Sequence, residues 1–160
     1  MHCQIIAVGQ KMPKWCVIAC EEYFKRLQRF LKCSLIEIPT AIRHKSSKSS
    51  DNTVLYKKEE AENILKKISS QDCVIALEVN GQPWSSSSLA KSLADWQLVG
   101  QNIIFIIGGP DGLSSGVLAR ANYQWSLSSL TFPHALARVI LVEQLYRAAS
   151  ILANHPYHRE

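Results

Sequence analysis

Four short apolar runs are spaced along the chain: Cys3 to Val8 (CQIIAV), Cys33 to Ile38, Cys73 to Val79 (CVIALEV) and Asn102 to Ile107. Within the last, Ile103 to Ile107 is too short for a helix and too continuous for a half-exposed strand. It suits a strand covered on both faces, as in parallel sheets. Between these runs apolar residues recur at helical spacing. Behind Pro13, which a helix tolerates in its first turn, come Cys16, Ala19, Cys20, Tyr23, Leu27 and Phe30, with charged residues elsewhere around the wheel. Leu55 to Ile68 repeats the pattern, and Ser85 to Ser88 offer N-caps for a helix through Leu89, Leu93 and Trp96. Asn80-Gly81 reads as a turn closing the third strand. Ser114 or Ser115 caps a short helix to about Asn122, Tyr123 to Leu127 reads as a fifth short strand, and Ala135 to Leu152 as a long helix. That last helix is apolar nearly all round, which predicts burial on more than one side, by core and by a partner subunit.

Strands alternating with helices predict an α/β fold with a mainly parallel sheet flanked by helices. At 160 residues, with no internal repeat or linker, residues 1–160 read as one domain. The apolar-poor stretch Thr40 to Thr53 reads as a long loop carrying Arg43, His44, Lys45 and Lys48. Its plain reading is a solvated connection, its functional one a nucleic-acid contact.

Composition narrows the class only slightly. The chain is 47% hydrophobic and 19% charged, as soluble domains are, and its net charge of +5 favours a polyanionic partner. Five cysteines without a CxxC pair fit a reduced, cytoplasmic setting. Neither a signal peptide nor a membrane-spanning run is expected.

The candidate chemistry lies in the last third. Gly108, Gly109, Pro110 and Gly112 follow the fourth strand, where open α/β sheets bind ligands. The segment is neither a phosphate loop nor GxGxxG. A second loop, Ser126 to Pro133 (SLSSLTFP), also lies between a strand and a helix. Two such loops at neighbouring strand ends can cup a flat heterocycle with backbone groups, lined by Leu127, Leu130 and Phe132. His134 opens the long helix, where the helix N-terminus depresses a histidine's pKa; a cap or packing role is the plain alternative. The chain ends NHPYHRE, in which Tyr157, His158 and Arg159 supply stacking, proton transfer and phosphate binding. His155 and His158 lack a third ligand at matching spacing, so no metal is expected. Trp15, Trp84, Trp96 and Trp125 are scattered and read as core, and Glu143 finds a local partner in Arg147.

Taken together, these segments resemble a known family across the whole chain. AVGxKMPxW (Ala7 to Trp15), LIEIP (Leu35 to Pro39), GxPW (Gly81 to Trp84), IGGPxGL (Ile107 to Leu113), WSLSxLTxPH (Trp125 to His134), LYRAxSI (Leu145 to Ile151) and the terminal NHPYHRE stand in the order found in the bacterial 23S ribosomal RNA pseudouridine-N3 methyltransferases, the RlmH family of the SPOUT class. The departures are Phe132, where Leu is usual, and the Ser/Lys-rich loop around His44 to Asp51.

The resemblance implies a SPOUT fold with a C-terminal trefoil knot, a homodimer, and S-adenosylmethionine as methyl donor. It places the cofactor against Leu77, Gly108, Gly109 and the loop Leu127, Ser128, Ser129, Leu130, Thr131 and Phe132. It also brings the tail to the reacting base in a site completed across the dimer, with 23S rRNA in the assembled ribosome as substrate. For the proton on the target nitrogen, either His134 or His158 is the expected base, with Tyr157 and Arg159 holding the nucleotide. A SPOUT methyltransferase acting on another RNA, or a non-catalytic RNA-binding protein, are the rival readings.

Overall fold

A computed structural model describes residues 1–43 and 50–158. Its five strands are β1 (Cys3–Val8), β2 (Cys33–Ile38), β3 (Cys73–Pro83), β4 (Ile103–Ile107) and β5 (Tyr123–Ser126), all parallel, in the order β2-β1-β4-β3-β5. β4 lies at the centre with every residue buried, as its unbroken apolar run requires. The helices are α1 (Lys14–Leu27), α2 (Ser50–Leu65), α3 (Ser86–Val99), α4 (Ser115–Arg120) and α5 (His134–Leu152).

Helices cover both faces. On one side α5 packs between α1 and α3, and their Cys20, Leu27, Leu89, Leu93, Leu141 and Leu145 meet Ile5, Ile75 and Phe105 of the sheet. On the other, Ala61 and Ile64 of α2 and Val117 of α4 cover Ile6, Val74, Ile104 and Ile106. The alternation of these strand residues between the two cores is the period-two geometry of a strand buried on both faces. All five cysteines are free and buried, and burial pushes the Cys20 thiol up to about 12 and Cys73 to about 11. Buried and unpaired, the five act as small apolar filler.

Several boundaries differ from those expected. α2 begins at Ser50, so the last residues of the stretch read as loop are helical; residues 44–49, with His44, Lys45 and Lys48, lie outside the described residues. The Asn80-Gly81 turn does not form. β3 runs on to Pro83, with a register shift against β5 that puts Leu77 and then Gln82 beside Trp125. Gly81 makes this possible, since a Cβ there would meet the Gln124 backbone at 2.7 Å. The tryptophans are not scattered. Trp84 stacks on Trp125 (5.2 Å between centroids) and both join Trp96 and Tyr123 along the β3–β5 edge, whereas Trp15 is 52% exposed on α1.

Ser85 and Ser114 cap α3 and α4, each accepting from the backbone N–H three residues on. α5 has no side-chain cap and starts directly behind Pro133. Its start is held instead by side-chain bonds to the strand ends.

Candidate active site

A cavity of about 200 Å³ opens at the carboxyl ends of β4 and β5, beside the middle of β3 where its pairing with β4 stops. Leu77 lines it from β3, Gly108 and Gly109 from the turn after β4, and Leu127, Ser128, Leu130 and Phe132 from the loop after β5. The two loops expected to form one cup do so; Ser129 and Thr131 belong to the second loop but do not line the cavity. The strand order explains the meeting: β3 sits between β4 and β5, so turns leaving the outer two converge over β3 at Leu77 to Val79.

The glycine turn is tight. Gly112 adopts a left-handed φ of +78°, and its N–H donates to the Gly109 carbonyl at 3.0 Å. A Cβ on Gly109 would lie 3.0 Å from both Glu60 Oε2 and Val8 Cγ1. Glu60, 3% exposed, is fixed by accepting from the Ala41 N–H at 3.0 Å, and its burial raises its pKa against the opposing effects of that bond and of Arg43. Arg43 in turn pairs with Asp111 inside the turn. The segment before the undescribed residues is thus tied to the glycine turn, a link that sequence reasoning missed.

A family model described as "Predicted SPOUT methyltransferase" matches residues 1–158. The chain belongs to the SPOUT methyltransferase family. Relatives called ribosomal RNA large subunit methyltransferase H come from Hahella chejuensis (49% identical over 160 residues, all of both chains) and Saccharophagus degradans (50% over 159 residues, 99% of this chain and 100% of that one). Among solved structures, a methylase family protein from Haemophilus influenzae superposes with a TM-score of 0.56 at 14% identity, covering 99% of this chain and 70% of that one. A Legionella pneumophila protein solved with bound SAM gives 0.51 at 10% identity, covering 92% and 66%. At those identities the structures speak for the fold alone.

In this SPOUT chain the expected catalytic residues fall into two groups. His134 lines the cavity and bonds the Gly108 carbonyl through Nδ1 at 2.9 Å. Its Nε2 faces Nε of Arg138 at 2.8 Å. Burial, and after it the Arg138 charge, lowers the His134 pKa, with the Gly108 bond opposing. Tyr157 and His158 lie elsewhere, in a 3₁₀ turn (Pro156–His158) after α5. Tyr157 donates to Glu143 Oε1 at 3.0 Å, its ring centroid is 4.4 Å from that of Tyr146, and the Arg147 guanidinium covers it at 5.0 Å. Glu143 also accepts from Arg147, the pairing expected from spacing. Burial first, then bonds to Tyr23 and Glu143, raises the Tyr157 pKa. Arg159 lies outside the described residues.

Nine residues of α5 separate His134 from Glu143, about 13 Å of helix rise. Neither Tyr157 nor His158 lines the cavity. The cavity residues that were not anticipated include Glu78, Val79, Trp125 and Ala137. Among the described residues the Trp125 indole N–H is buried without a hydrogen-bond partner, and so is Nδ1 of His158. No helix among the described residues is long and apolar enough to cross a membrane, and they hold no group of three or more potential metal-binding side chains.

Proposed function

We propose that this chain is an S-adenosylmethionine-dependent methyltransferase that methylates N3 of a pseudouridine in 23S rRNA of the assembled ribosome. It acts as a cytoplasmic homodimer whose C-terminal segment is threaded as a trefoil knot. One coincidence carries the reading: a chain matching the large-subunit rRNA methyltransferases over its full length folds its two loops into one cavity. The net charge of +5 suits an RNA partner.

The lining fits the donor. Leu77, Leu127, Leu130 and Phe132 suit a flat heterocycle, the buried indole N–H of Trp125 lacks a protein acceptor, and Glu78 offers a carboxylate to ribose hydroxyls. Its volume of about 200 Å³ is below the roughly 300–1,000 Å³ of a complete small-molecule site. That shortfall supports a site finished by another chain, as does the apolar surface on α1, where Trp15 and Ile18 are 52% and 66% exposed.

When bound, the cofactor supplies an electrophilic methyl carbon on a sulfonium. The chain needs no nucleophile of its own, because N3 of the base provides the electron pair. Its task is alignment of N3 with that carbon, and removal of the imide proton N3 carries at neutral pH. The residues available are His134 at the cavity, and Tyr157, His158 and Arg159 from the partner's tail. Tyr157 stacks on or hydrogen-bonds the base, and Arg159 holds a phosphate or the developing negative charge.

The test is methyl transfer from labelled donor to ribosomes of a strain lacking this protein. Incorporation into 23S rRNA of intact ribosomes, and none into naked RNA, is expected. Labelling of transfer RNA or free RNA instead would reassign the substrate, and failure to bind the donor by calorimetry would leave an RNA-binding protein. Gly109→Ala, which pushes the turn against Glu60 and Val8, is expected to weaken donor affinity about tenfold, measured by the same calorimetry.

A further inference from the structure

Resting on the methyltransferase reading, we propose that His134 is a positioning residue and not the proton acceptor. Arg138 locks it as the neutral Nδ1–H tautomer, and it fixes the Gly108 carbonyl at the wall of the donor cavity.

The protons follow from the partners. A carbonyl oxygen only accepts, so the ring nitrogen 2.9 Å from Gly108 O carries a hydrogen. An arginine Nε only donates and stays charged, so Nε2, 2.8 Å away, presents its lone pair to Arg138. Both nitrogens are thereby committed. A second proton on Nε2 would set N–H against N–H beside a guanidinium, and no lone pair is left for a substrate.

Arg138 cannot relax away from this arrangement. It is 3% exposed, donates through Nη1 to Glu37 Oε1 at 2.5 Å, and donates through Nη2 to the Gly9 carbonyl. Gly9 follows β1, Glu37 belongs to β2 and Gly108 follows β4, so one buried pair of side chains ties three adjacent strand ends to the start of α5. From α1, the Cys16 thiol approaches the Ala135 carbonyl at 3.3 Å. The charged groups acting on His134 are therefore the Arg138 guanidinium and, behind it, the Glu37 carboxylate, with the Cys16 thiol beside the first turn of α5.

The consequence for the site lies in the peptide after Gly108. A trans peptide is planar, so holding its carbonyl toward His134 aims the Gly109 N–H in the opposite direction. His134 and Arg138 thus set the orientation of one edge of the donor cavity. On the far side Arg138 and Glu37 face a second cavity of about 640 Å³, lined also by Lys11, Met12 and Cys20. The proton acceptor then falls to the tail, where His158 retains an unpartnered ring nitrogen among the described residues.

Ring nitrogen chemical shifts of the full-length wild-type dimer decide the tautomer without any cofactor. His134 should show one protonated and one lone-pair nitrogen from pH 5.5 to 8.5, and should begin to titrate in Arg138→Met. His134→Asn keeps a donor for the Gly108 carbonyl but no basic nitrogen. It should restore donor affinity and part of the kcat lost in His134→Ala, with the acid limb of the pH profile in place, while His134→Ala weakens donor binding about tenfold, the loss of one neutral hydrogen bond. A wild-type ring that titrates with the kinetic pKa would overturn the proposal, as would a His134→Asn enzyme that binds donor normally but is as inactive as His134→Ala. Wild-type protein that neither binds donor nor transfers methyl would refute the methyltransferase reading instead, with the chemical shifts still deciding the tautomer.

Discussion

Gly81→Ala is expected to lower the thermal unfolding midpoint by about 5–10 °C and to weaken donor binding with it, as overpacking of roughly 1–3 kcal/mol implies for a chain of this size. The added Cβ would stand 2.7 Å from the carbonyl carbon and oxygen of Gln124 and 2.9 Å from that of Trp125. These are backbone atoms, so no rotamer change relieves the clash; β5 must move as a strand. β5 is four residues long, lies at the sheet edge and leads straight into the donor loop at Leu127. Gly100→Ala is the control. Its φ of +72° makes the substitution cost about 1–2 kcal/mol from left-handed backbone alone, with nothing within 4 Å of the new carbon. It should lower the midpoint by less and leave donor affinity unchanged. Equal midpoints and affinities for Gly81→Ala and wild type would show that β3 and β5 do not run this close.

That contact also marks where sequence reasoning reaches its limit. The runs at Cys3–Val8 and Ile103–Ile107 could be placed because a strand buried on both faces is apolar with little interruption, whereas Cys33–Ile38 is an edge strand that carries Ser34 and Glu37 and was placed by its length and by Pro39 behind it. The extension of β3 past Asn80-Gly81 could not, because the same dipeptide serves as a turn or as a gap that admits a neighbouring backbone. What decides is the position of β5 more than forty residues later. The start of α2 was hidden for a related reason. Val54 and Leu55 are 65% and 60% exposed, and its core-facing residues, Ala61 and Ile64, come only in its later turns. The helix therefore begins before any apolar periodicity does.

The cavity was legible in part. Gly108 and the loop after β5 occupy strand ends, where ligand sites form in a parallel sheet, and Leu77 stands where β3 stops pairing with β4. The hydrogen bonds around Arg138 were not legible, since they join residues 101 and 129 positions away. A buried arginine in an apolar helix is a signal that partners exist, and it identifies none of them. The tryptophan cluster is a similar case: Trp84, Trp96 and Trp125 share no period, and only the β3–β5 pairing and α3 bring them together.

The largest effect on activity is expected from the tail. His158→Ala should reduce kcat by about 10²–10⁴, the usual contribution of a positioned general base, with donor affinity and unfolding midpoint close to wild type. Removing Tyr157 to Glu160 should abolish transfer while the sheet and α5 stay folded, since Tyr157 caps only one edge of the core, at Glu143, Tyr146 and Arg147 of α5. A collapse of the midpoint on truncation would make Tyr157 a packing residue first, and His158→Ala would then carry the test alone. Separation along α5 makes the arrangement testable in trans. A truncated chain retains a donor cavity and lacks a tail; a chain whose cavity is blocked by a bulky residue at Gly109 retains a tail and lacks a cavity. Each alone should be inactive. After subunit exchange at equal amounts, half of the dimers are mixed and each holds one complete site, so about a quarter of wild-type activity should return. Recovery on mixing requires tail and cavity to come from different chains. Continued inactivity of a mixture shown to contain mixed dimers would mean that each tail serves its own cavity, and the 13 Å along α5 would have to be crossed by a rearrangement of the C-terminal turn.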